Sequence, residues 1–331
     1  MTPSFQIENF RRPRRHNHIT VLMGGVSGER DVSLNSGRAV SAALQQAGYR
    51  VSEIDVTANV QNLVTSLLAA KPDAVFNALH GKYGEDGAIQ GLLDMMQIPY
   101  SHSGRLTSSL AMNKAISRDI FAMAGLPIAP GRVLPRAEYN QSVQKGINPL
   151  LRPYIIKPLA EGSSLGIELV RGQGQARLLD TDKDRIIFGD EILLEEFIPG
   201  RELTVGVIGT AADAVSLGAI EIRHPKGFFD YEAKYQNGVA EHIIPPELPP
   251  AVMAHLQEVA IAAHRVLGCR SLSRSDFRLD ESNPSKPRLI LLEVNSQPGM
   301  TELSLVPDLA RALGFSFADL VTYLVEEAKW D

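Results

Sequence analysis

The chain has 331 residues, long enough for two or three domains, and its 44% hydrophobic and 21% charged content is that of an ordinary globular protein. Thirty-eight acidic against 33 basic residues leave a formal charge of −5, which argues against broad electrostatic binding of nucleic acid. The single cysteine, Cys269, excludes an intramolecular disulfide framework and a Cys-based zinc site, and no apolar run approaches the ~18 residues that a membrane span needs. These bounds fit a soluble, cytoplasmic enzyme or a binding protein and do not choose between them.

Residues 1–18 stand apart, with Arg11, Arg12, Arg14, Arg15, His16 and His18 forming a basic cluster. No apolar h-region follows, so this is not a secretory signal. It reads as a short solvated extension, with nucleic-acid binding or organelle targeting as alternatives.

From Ile19 the pattern is regular. Ile19–Met23, Val51–Val56 and Asp73–Leu79 read as short apolar strands. Helices over Val32–Ala47, Ala58–Ala70 and Ala88–Met96 alternate with them, the first stopped by Gly48. Such alternation predicts βαβ units and a parallel sheet, whose ligands gather in the loops after the strands' carboxyl ends. Two loops occupy that position here, Gly24–Asp31 and His80–Gly87.

Thr107–Ala124 reads as one helix, ended by Gly125, Pro127, Pro130 and Gly131. Strands at Tyr154–Leu159, Gly166–Val170, Ile192–Ile198, Leu203–Gly209 and Ala214–Ile222 then predict a smaller, mostly antiparallel part. A helix over Val252–Leu267, strands at Arg274–Asp280 and Leu289–Asn295 and a helix through Phe317–Val325 close the chain, the last opened by the loose capping box Ser316-x-x-Asp319.

The strongest chemical signal is the last strand pair. If Asp280–Pro287 is a symmetric loop, Asp276 faces Glu293 and Arg274 faces Asn295, all on one sheet face. Two opposed carboxylates in an apolar sheet repel each other unless a cation sits between them, and Glu293 interrupts the run Leu289, Ile290, Leu291, Leu292, Val294. Carboxylate and amide oxygens suit Mg²⁺ completed by substrate phosphates, the alternative being a solvent-facing polar stripe.

Lys157 lies in an apolar strand just before the small-residue loop Glu161-Gly-Ser-Ser-Leu-Gly166, a pairing that suits nucleotide phosphates although it is not the Walker pattern. A lysine guarding an edge strand is the bland alternative. The acidic end of Ile192–Glu202 could serve adenine and ribose, but alone it is an ordinary strand end.

The loop Gly24–Arg30 lacks dinucleotide spacing, and Glu29 in it suits a cationic ligand such as an amino acid's ammonium. His80, at a strand terminus, is either a site residue or a hydrogen-bonded structural histidine. Glu85 and Asp86 read as complements to the dipole of the next helix.

Together these motifs resemble the D-alanine–D-alanine ligase family of the ATP-grasp superfamily, from about Ile19 to the C-terminus. The resemblance rests on Gly24-Gly-x-Ser-x-Glu-Arg30 with Val32-Ser-Leu-Asn-Ser-Gly37, His80-Gly with Gly84-Glu-Asp-Gly87, and Lys157-Pro with Glu161-Gly-Ser-Ser-x-Gly166. It rests also on Tyr231-Glu-Ala-Lys-Tyr235, Leu292-Glu-Val-Asn-Ser-Gln-Pro-Gly-Met-Thr301 and Ser304-Leu-Val-Pro307. It implies an α/β chain, α+β in its ATP-binding part: an ATP-grasp fold behind a parallel-sheet N-terminal domain. The units would be 19–114 for substrate, 115–202 as central subdomain and 203–331 as C-terminal subdomain.

By the same resemblance, Lys114, Lys157, Ser163, Ser164, Glu195, Glu196, Phe197, Ile198, Glu202, Lys234 and Asn295 belong to the ATP site. The lysines would meet phosphates, 195–198 adenine, and Glu202 the ribose. Asp276, Glu293 and Asn295 match the magnesium ligands, with two ions implied and Mn²⁺ as a possible substitute. Glu29 would hold the first D-alanine's ammonium, and Val32 and His80 would also bind substrate. Arg274 and the Gly299 N–H would stabilise an oxyanion, and Ser304 with Leu305 would hold the second carboxylate. Ser163, Tyr235 and Glu29 would form the set that closes the site, Lys234 and Tyr235 riding on a closing loop.

The implied reaction is ATP-dependent formation of D-alanyl-D-alanine through an acylphosphate, for peptidoglycan precursors, by a cytoplasmic homodimer that takes two D-alanines and binds neither nucleic acid nor membrane. Alternatives are a ligase making D-alanyl-D-lactate or D-alanyl-D-serine, against which Tyr235 argues, and an inactive ATP-binding regulator. The departures are Ser273 before Arg274, which bears on packing, and Gln297 and Glu302-Leu303, which bear on substrate preference.

Overall fold

The structure, a computed structural model, describes residue 10 and residues 12–162, 165–172, 174–223, 241–301 and 304–331. Strand β1 (His18–Gly24) is buried along its whole length. β2 (Arg50–Val56) and β3 (Ala74–Asn77) pair with it in parallel, in the order β2-β1-β3. Helices α1 (Arg30–Gln46) and α2 (Val60–Ala70) make the crossovers, and α3 (Ala88–Met95) follows the third strand. Glycine at 37 lets α1 lie close on β1, because an added Cβ would come 2.5 Å from Met23 Cβ. This is the βαβ run that the sequence predicts.

The expected helix over Thr107–Ala124 is two helices, α4 (Arg105–Met112) and α5 (Lys114–Met123). Asn113 between them is extended, and its side-chain oxygen accepts from the Ala115 and Ile116 N–H groups at 3.1 Å each. Apolar periodicity does not register a cap in mid-run. The break sets Lys114 at the first position of α5.

A four-stranded antiparallel sheet comes next. It comprises β4 (Gly131–Pro135), β5 (Tyr154–Pro158), β6 (Glu168–Val170) and β7 (Glu191–Glu196), in the order β4-β7-β5-β6. Helices α6 (Arg136–Gln144) and α7 (Asp182–Phe188) flank it. The sequence reading misses β4, α6 and α7 for a physical reason: α6 buries only Tyr139, and α7 is seven residues set by the Thr181–Asp184 capping box. β5 is an inner strand, so Lys157 does not guard an edge.

A five-stranded antiparallel sheet carries the rest. Its strands are β8 (Arg201–Ile208), β9 (Val215–Arg223), β10 (Glu241–Ile243), β11 (Leu272–Asp280) and β12 (Arg288–Asn295), in the order β10-β9-β8-β11-β12. Helix α8 (Pro250–Val266) packs Leu256, Val259 and Ala263 against Leu203, Val205, Phe277 and Leu291. Cys269 lies in that core, where burial pushes its thiol up to about 12. Helices α9 (Leu305–Ala312), unforeseen in the sequence, and α10 (Phe317–Glu326) end the fold, the latter opened by the reciprocal Ser316–Asp319 capping box.

One apolar core joins Val21 and Phe76 of the parallel sheet to Leu217, Ile220, Leu309, Tyr323 and Leu324. The basic segment contributes to it, contrary to the expected solvated extension. Phe10 is 4% exposed and stacks on Phe315 at 4.4 Å. Arg12 pairs with Glu327, the Arg15 N–H donates to Glu326 at 2.6 Å, and Arg14 lies over Tyr49 while donating to the Gly48 carbonyl at 2.8 Å. The Arg12 and Arg14 side chains are thus engaged by the fold itself.

Candidate active site

Strands β11 and β12 pair Arg274 with Asn295 and Asp276 with Glu293, the register read from the sequence. The hairpin is not symmetric, however. Beyond Asp276 the register shifts, so that Phe277 faces Leu291 and Leu292 is an extra residue. Leu289, Leu291 and Val294 enter the core under α8, whereas Ile290 and Leu292 pack with Ala129 and Ile198 on the opposite face. Unbroken alternation would send Glu293 into the α8 core with Leu289 and Leu291. The bulge turns it to the other face, the re-aiming for which bulges beside functional sites are known.

Each carboxylate on that face lies beside a cation. Arg274 donates to both Asp276 oxygens at 2.8 Å, and Thr204 Oγ1 donates to Oδ1 at 2.6 Å. Lys114 Nζ lies 3.6 Å from Glu293 Oε2. Asn295 Oδ1 accepts from the Gln297 N–H at 2.9 Å, which fixes the amide at the strand end. Two opposed carboxylates, each already drawing a cation, and a fixed amide oxygen form a hard-oxygen donor set that fits Mg²⁺.

The nucleotide candidates line the adjoining face of the four-stranded sheet. Lys157, 7% exposed, pairs with Glu195 at 2.5 Å, and Arg118 Nε lies 3.4 Å from the other Glu195 oxygen. Arg118 also donates to the Ala129 and Gly131 carbonyls at 3.0 Å each. Glu196 pairs with Arg288, and the Phe197 ring has the guanidiniums of Arg171 and Arg278 at 5.3 and 6.0 Å. Arg278 further donates to the Ile198 carbonyl and to Glu202, at 3.1 and 3.2 Å. With Ala129, Ile290 and Leu292, Ile198 makes an apolar surface suited to a purine beside these polar groups. Arg118, Thr204 and Arg278 were not singled out in the sequence, because only the paired strands reveal what they touch.

The phosphate-loop and amino-acid candidates meet. Lys114 Nζ donates to the Glu161 carbonyl, and its backbone N–H donates to the Leu159 carbonyl at 2.8 Å. Burial pushes the Glu161 carboxyl up, partly countered by Lys114 and reinforced by Glu29. At Gly162 and Gly81 an added Cβ would lie 3.2 and 3.1 Å from Glu29 Oε2, so the loop after β5 and the loop after β3 both border this carboxylate. Glu29 begins α1, and Val32 sits half-buried in its first turn.

His80 is buried, with Nδ1 3.1 Å from Glu85 and Nε2 3.4 Å from Ser36 Oγ. Burial opposes its charge, but the Glu85 hydrogen bond and the charges of Glu85 and Glu29 win, and its pKa is raised. Glu85 thus serves His80 and the Gly81 N–H rather than a helix dipole. Asp86 alone behaves as expected there, accepting from Ala88 N–H at 3.1 Å.

At the far end, an added Cβ on Gly299 would lie 3.2 Å from Ser304 Oγ, which places the two side by side. Ser304 precedes α9 but does not cap it; its hydroxyl is 2.8 Å from Thr301 Oγ1. Leu305 opens the helix, where a backbone N–H has no intrahelical partner by position. Ser273, the departure before Arg274, is fully buried against His264 Nδ1 at 2.7 Å, a packing role. The candidates Ser163, Ser164, Lys234 and Tyr235 lie outside the described residues.

Comparison with known proteins points to one family. The family model for the D-ala D-ala ligase C-terminus matches residues 120–326, and that for the N-terminus matches 59–103. Similar curated proteins include the D-alanine–D-alanine ligases of Paramagnetospirillum magneticum, 50% identical over 95% of this chain and 99% of that protein, and of Rhodospirillum rubrum, 48% identical over 95% and 98%. A solved structure of D-alanine–D-alanine ligase from Bacillus anthracis complexed with ATP superposes with a TM-score of 0.76, at 29% identity, over 94% of this chain and 97% of that one. The chain therefore belongs to the D-alanine–D-alanine ligase family and has its ATP-grasp fold.

Proposed function

We propose that the enzyme joins two D-alanines in one site, converting ATP to ADP and phosphate, and does so through a D-alanyl phosphate. One observation carries this reading: Glu293, Lys114, the Glu161–Gly162 backbone and Glu29 form a continuous series of neighbours. A metal-type carboxylate, a phosphate-type lysine and an ammonium-type carboxylate thus follow one another as neighbours, which is the set of groups that transfer of a phosphoryl group to an amino acid's carboxylate calls for.

In the first step Glu29 holds the ammonium of one D-alanine, beside the buried His80. A carboxylate oxygen of that D-alanine attacks the γ-phosphorus, the bond to the bridging oxygen breaks, and ADP leaves. Lys114 and Lys157 offset the phosphate charge, while Ile198 and Glu202 hold the base and ribose. Asp276, Glu293 and Asn295 would hold Mg²⁺, which when bound neutralises phosphate oxygens. In the second step Ser304 and the Leu305 N–H orient the carboxylate of the second D-alanine. Its neutral amine attacks the acyl carbon, the oxyanion develops between Arg274 and the Gly299 N–H, and collapse breaks the acyl C–O bond and expels phosphate, which carries away the proton lost by the nitrogen. Dipeptide formation rises with pH towards the pKa of that amine. Since the reaction consumes ATP, the cytoplasm is its compartment, and the dipeptide feeds peptidoglycan precursors. Among the described residues no helix is long and apolar enough to cross a membrane.

The test is ATP- and Mg²⁺-dependent phosphate release with D-alanine, L-alanine or D-lactate plus D-alanine, with product identified by mass. D-alanine alone should suffice and L-alanine should fail. A depsipeptide at neutral pH would reassign the second substrate, and ATP binding without D-alanine-dependent phosphate release would reduce the chain to a nucleotide-binding protein.

A further inference from the structure

We propose that Gln297 is a positioning residue, tying the metal and oxyanion end of β12 to the pocket of the first D-alanine; this rests on the two-step reading above. Gln297 follows Asn295 by two residues and precedes Gly299 by two, yet its side chain belongs to the other half of the site. It is 3% exposed. Its Oε1 accepts from Asn77 Nδ2 at 2.8 Å, its Nε2 donates to the Leu79 carbonyl at 2.5 Å, and its own N–H donates to Asn295 Oδ1 at 2.9 Å.

Those partners lead to the amino-acid site. Asn77 ends β3 and spends its remaining capacity locally, donating to the Gly84 carbonyl at 2.8 Å and accepting from the Leu79 N–H at 3.2 Å. Leu79 is bonded to His80, whose carbonyl accepts from Ser27 Oγ at 2.7 Å, and that oxygen accepts from the Glu29 N–H at 3.2 Å. A hydrogen-bonded route therefore runs from Asn295 through Gln297, Leu79, His80 and Ser27 to Glu29.

The function of this route follows from the chemistry. The carboxylate of a D-alanine held by its ammonium at Glu29 must reach a phosphate held near Asn295, although Glu29 precedes α1 and Asn295 ends β12. Misplacement by about 1 Å costs on the order of 100-fold in rate. Only an amide meets both partners at 297. Methionine has the same length but leaves the buried Leu79 carbonyl without this donor, and glutamate would turn an acceptor towards that carbonyl.

Gln297→Met and Asn77→Ala, singly and together, test the proposal. In Gln297→Met we expect kcat to fall about 10- to 100-fold and half-saturating D-alanine to rise. Calorimetric affinity for ADP should stay within about twofold, since the base and ribose contacts are untouched. The double variant should lose no more than the more damaged single variant, as partners in one network are non-additive. A lowered melting temperature with unchanged kinetic constants, losses that multiply, or an equal loss of ADP affinity would each overturn the proposal. If Gln297→Met does not fold, Asn77→Asp, which removes the amide donors to Gln297 and Gly84 but keeps the acceptor for the Leu79 N–H, is read in the same way. Absence of D-alanine-dependent phosphate release from the unmodified enzyme would instead defeat the underlying reading of the reaction.

Discussion

Glu293 stands directly across from Asp276 because β12 carries one extra residue, Leu292, between Glu293 and the Leu291 that faces Phe277. The bulge takes a carboxylate out of an apolar core and sets it beside Lys114. Glu293→Gln keeps the shape and removes the charge. It should lower kcat about 100-fold or more, roughly 2.7 kcal/mol of transition-state stabilisation, and move the Mg²⁺ requirement to higher concentration. A Mg²⁺ titration of phosphate release reads both. Unchanged activity and an unchanged titration would remove Glu293 from the metal site.

Lys157 and Glu195 are both buried, and removing one partner of such a pair is costlier than the net worth of the pair. Lys157→Met leaves Glu195 with the Arg118 guanidinium, whose Nε lies 3.4 Å away. We expect a stability loss of about 3–5 kcal/mol together with a weaker response to nucleotide. ADP at ~100 times its dissociation constant should stabilise the unmodified enzyme by about 2.7 kcal/mol and the variant by much less. Thermal melts with and without ADP decide it; an equal ADP shift in both proteins would show that Lys157 supports the sheet and not the nucleotide.

What the sequence made legible follows a physical division. The parallel βαβ run was readable because β1 and β3 are largely apolar, β2 keeps Val51, Ile54 and Val56 between polar residues, and the helices are periodic. The Asp276–Glu293 pairing rests, in the sequence, on a symmetric loop; the hairpin is one residue off that symmetry, and the extra residue at Leu292 restores the expected register at Asp276. The bulge at Leu292 was not readable, since it is set by which side chains the α8 core and the Ile198 surface each accept. The break at Asn113 was missed because its cap depends on a side-chain rotamer inside an otherwise helical pattern. Glu85 was assigned to a helix dipole because its true partner, His80, is fixed by the turn between them. Gln297 drew notice only as a departure from the family; its meaning lies in contacts to residues more than two hundred positions away.

The basic segment yields a stability prediction, not a functional one. Its aromatic anchor, Phe10, fills a slot between Phe315 and Tyr323, with ring centroids 4.4 and 5.1 Å away. Phe10→Ala should destabilise the enzyme by about 3 kcal/mol, the low end for truncating a buried phenylalanine. Steady-state constants should not change, because α10 supplies none of the proposed substrate contacts. Urea unfolding measures the first and a phosphate-release assay the second. A loss below ~0.5 kcal/mol would mean the segment is a surface extension after all.

His80 makes stability depend on pH in a direction that its surroundings dictate. Burial disfavours the imidazolium, but the Glu85 hydrogen bond and the nearby charges of Glu85 and Glu29 outweigh it, so the folded-state pKa lies above the unfolded one. The folded protein therefore holds this proton more tightly than the unfolded chain. The resulting stabilisation is fully present below the unfolded value of about 6.5 and is lost as pH rises through the folded value. Glu85→Gln removes the main partner and should flatten this contribution. The melting-temperature advantage of the unmodified enzyme over Glu85→Gln should accordingly be greatest in mildly acidic solution, just below about pH 6.5, and shrink as the pH is raised above it. Groups common to both proteins cancel in that difference. A gap that stays constant, or widens, as pH increases would mean that His80 is neutral in the folded enzyme and that Glu85 acts only through the Gly81 N–H, which it accepts at 3.1 Å.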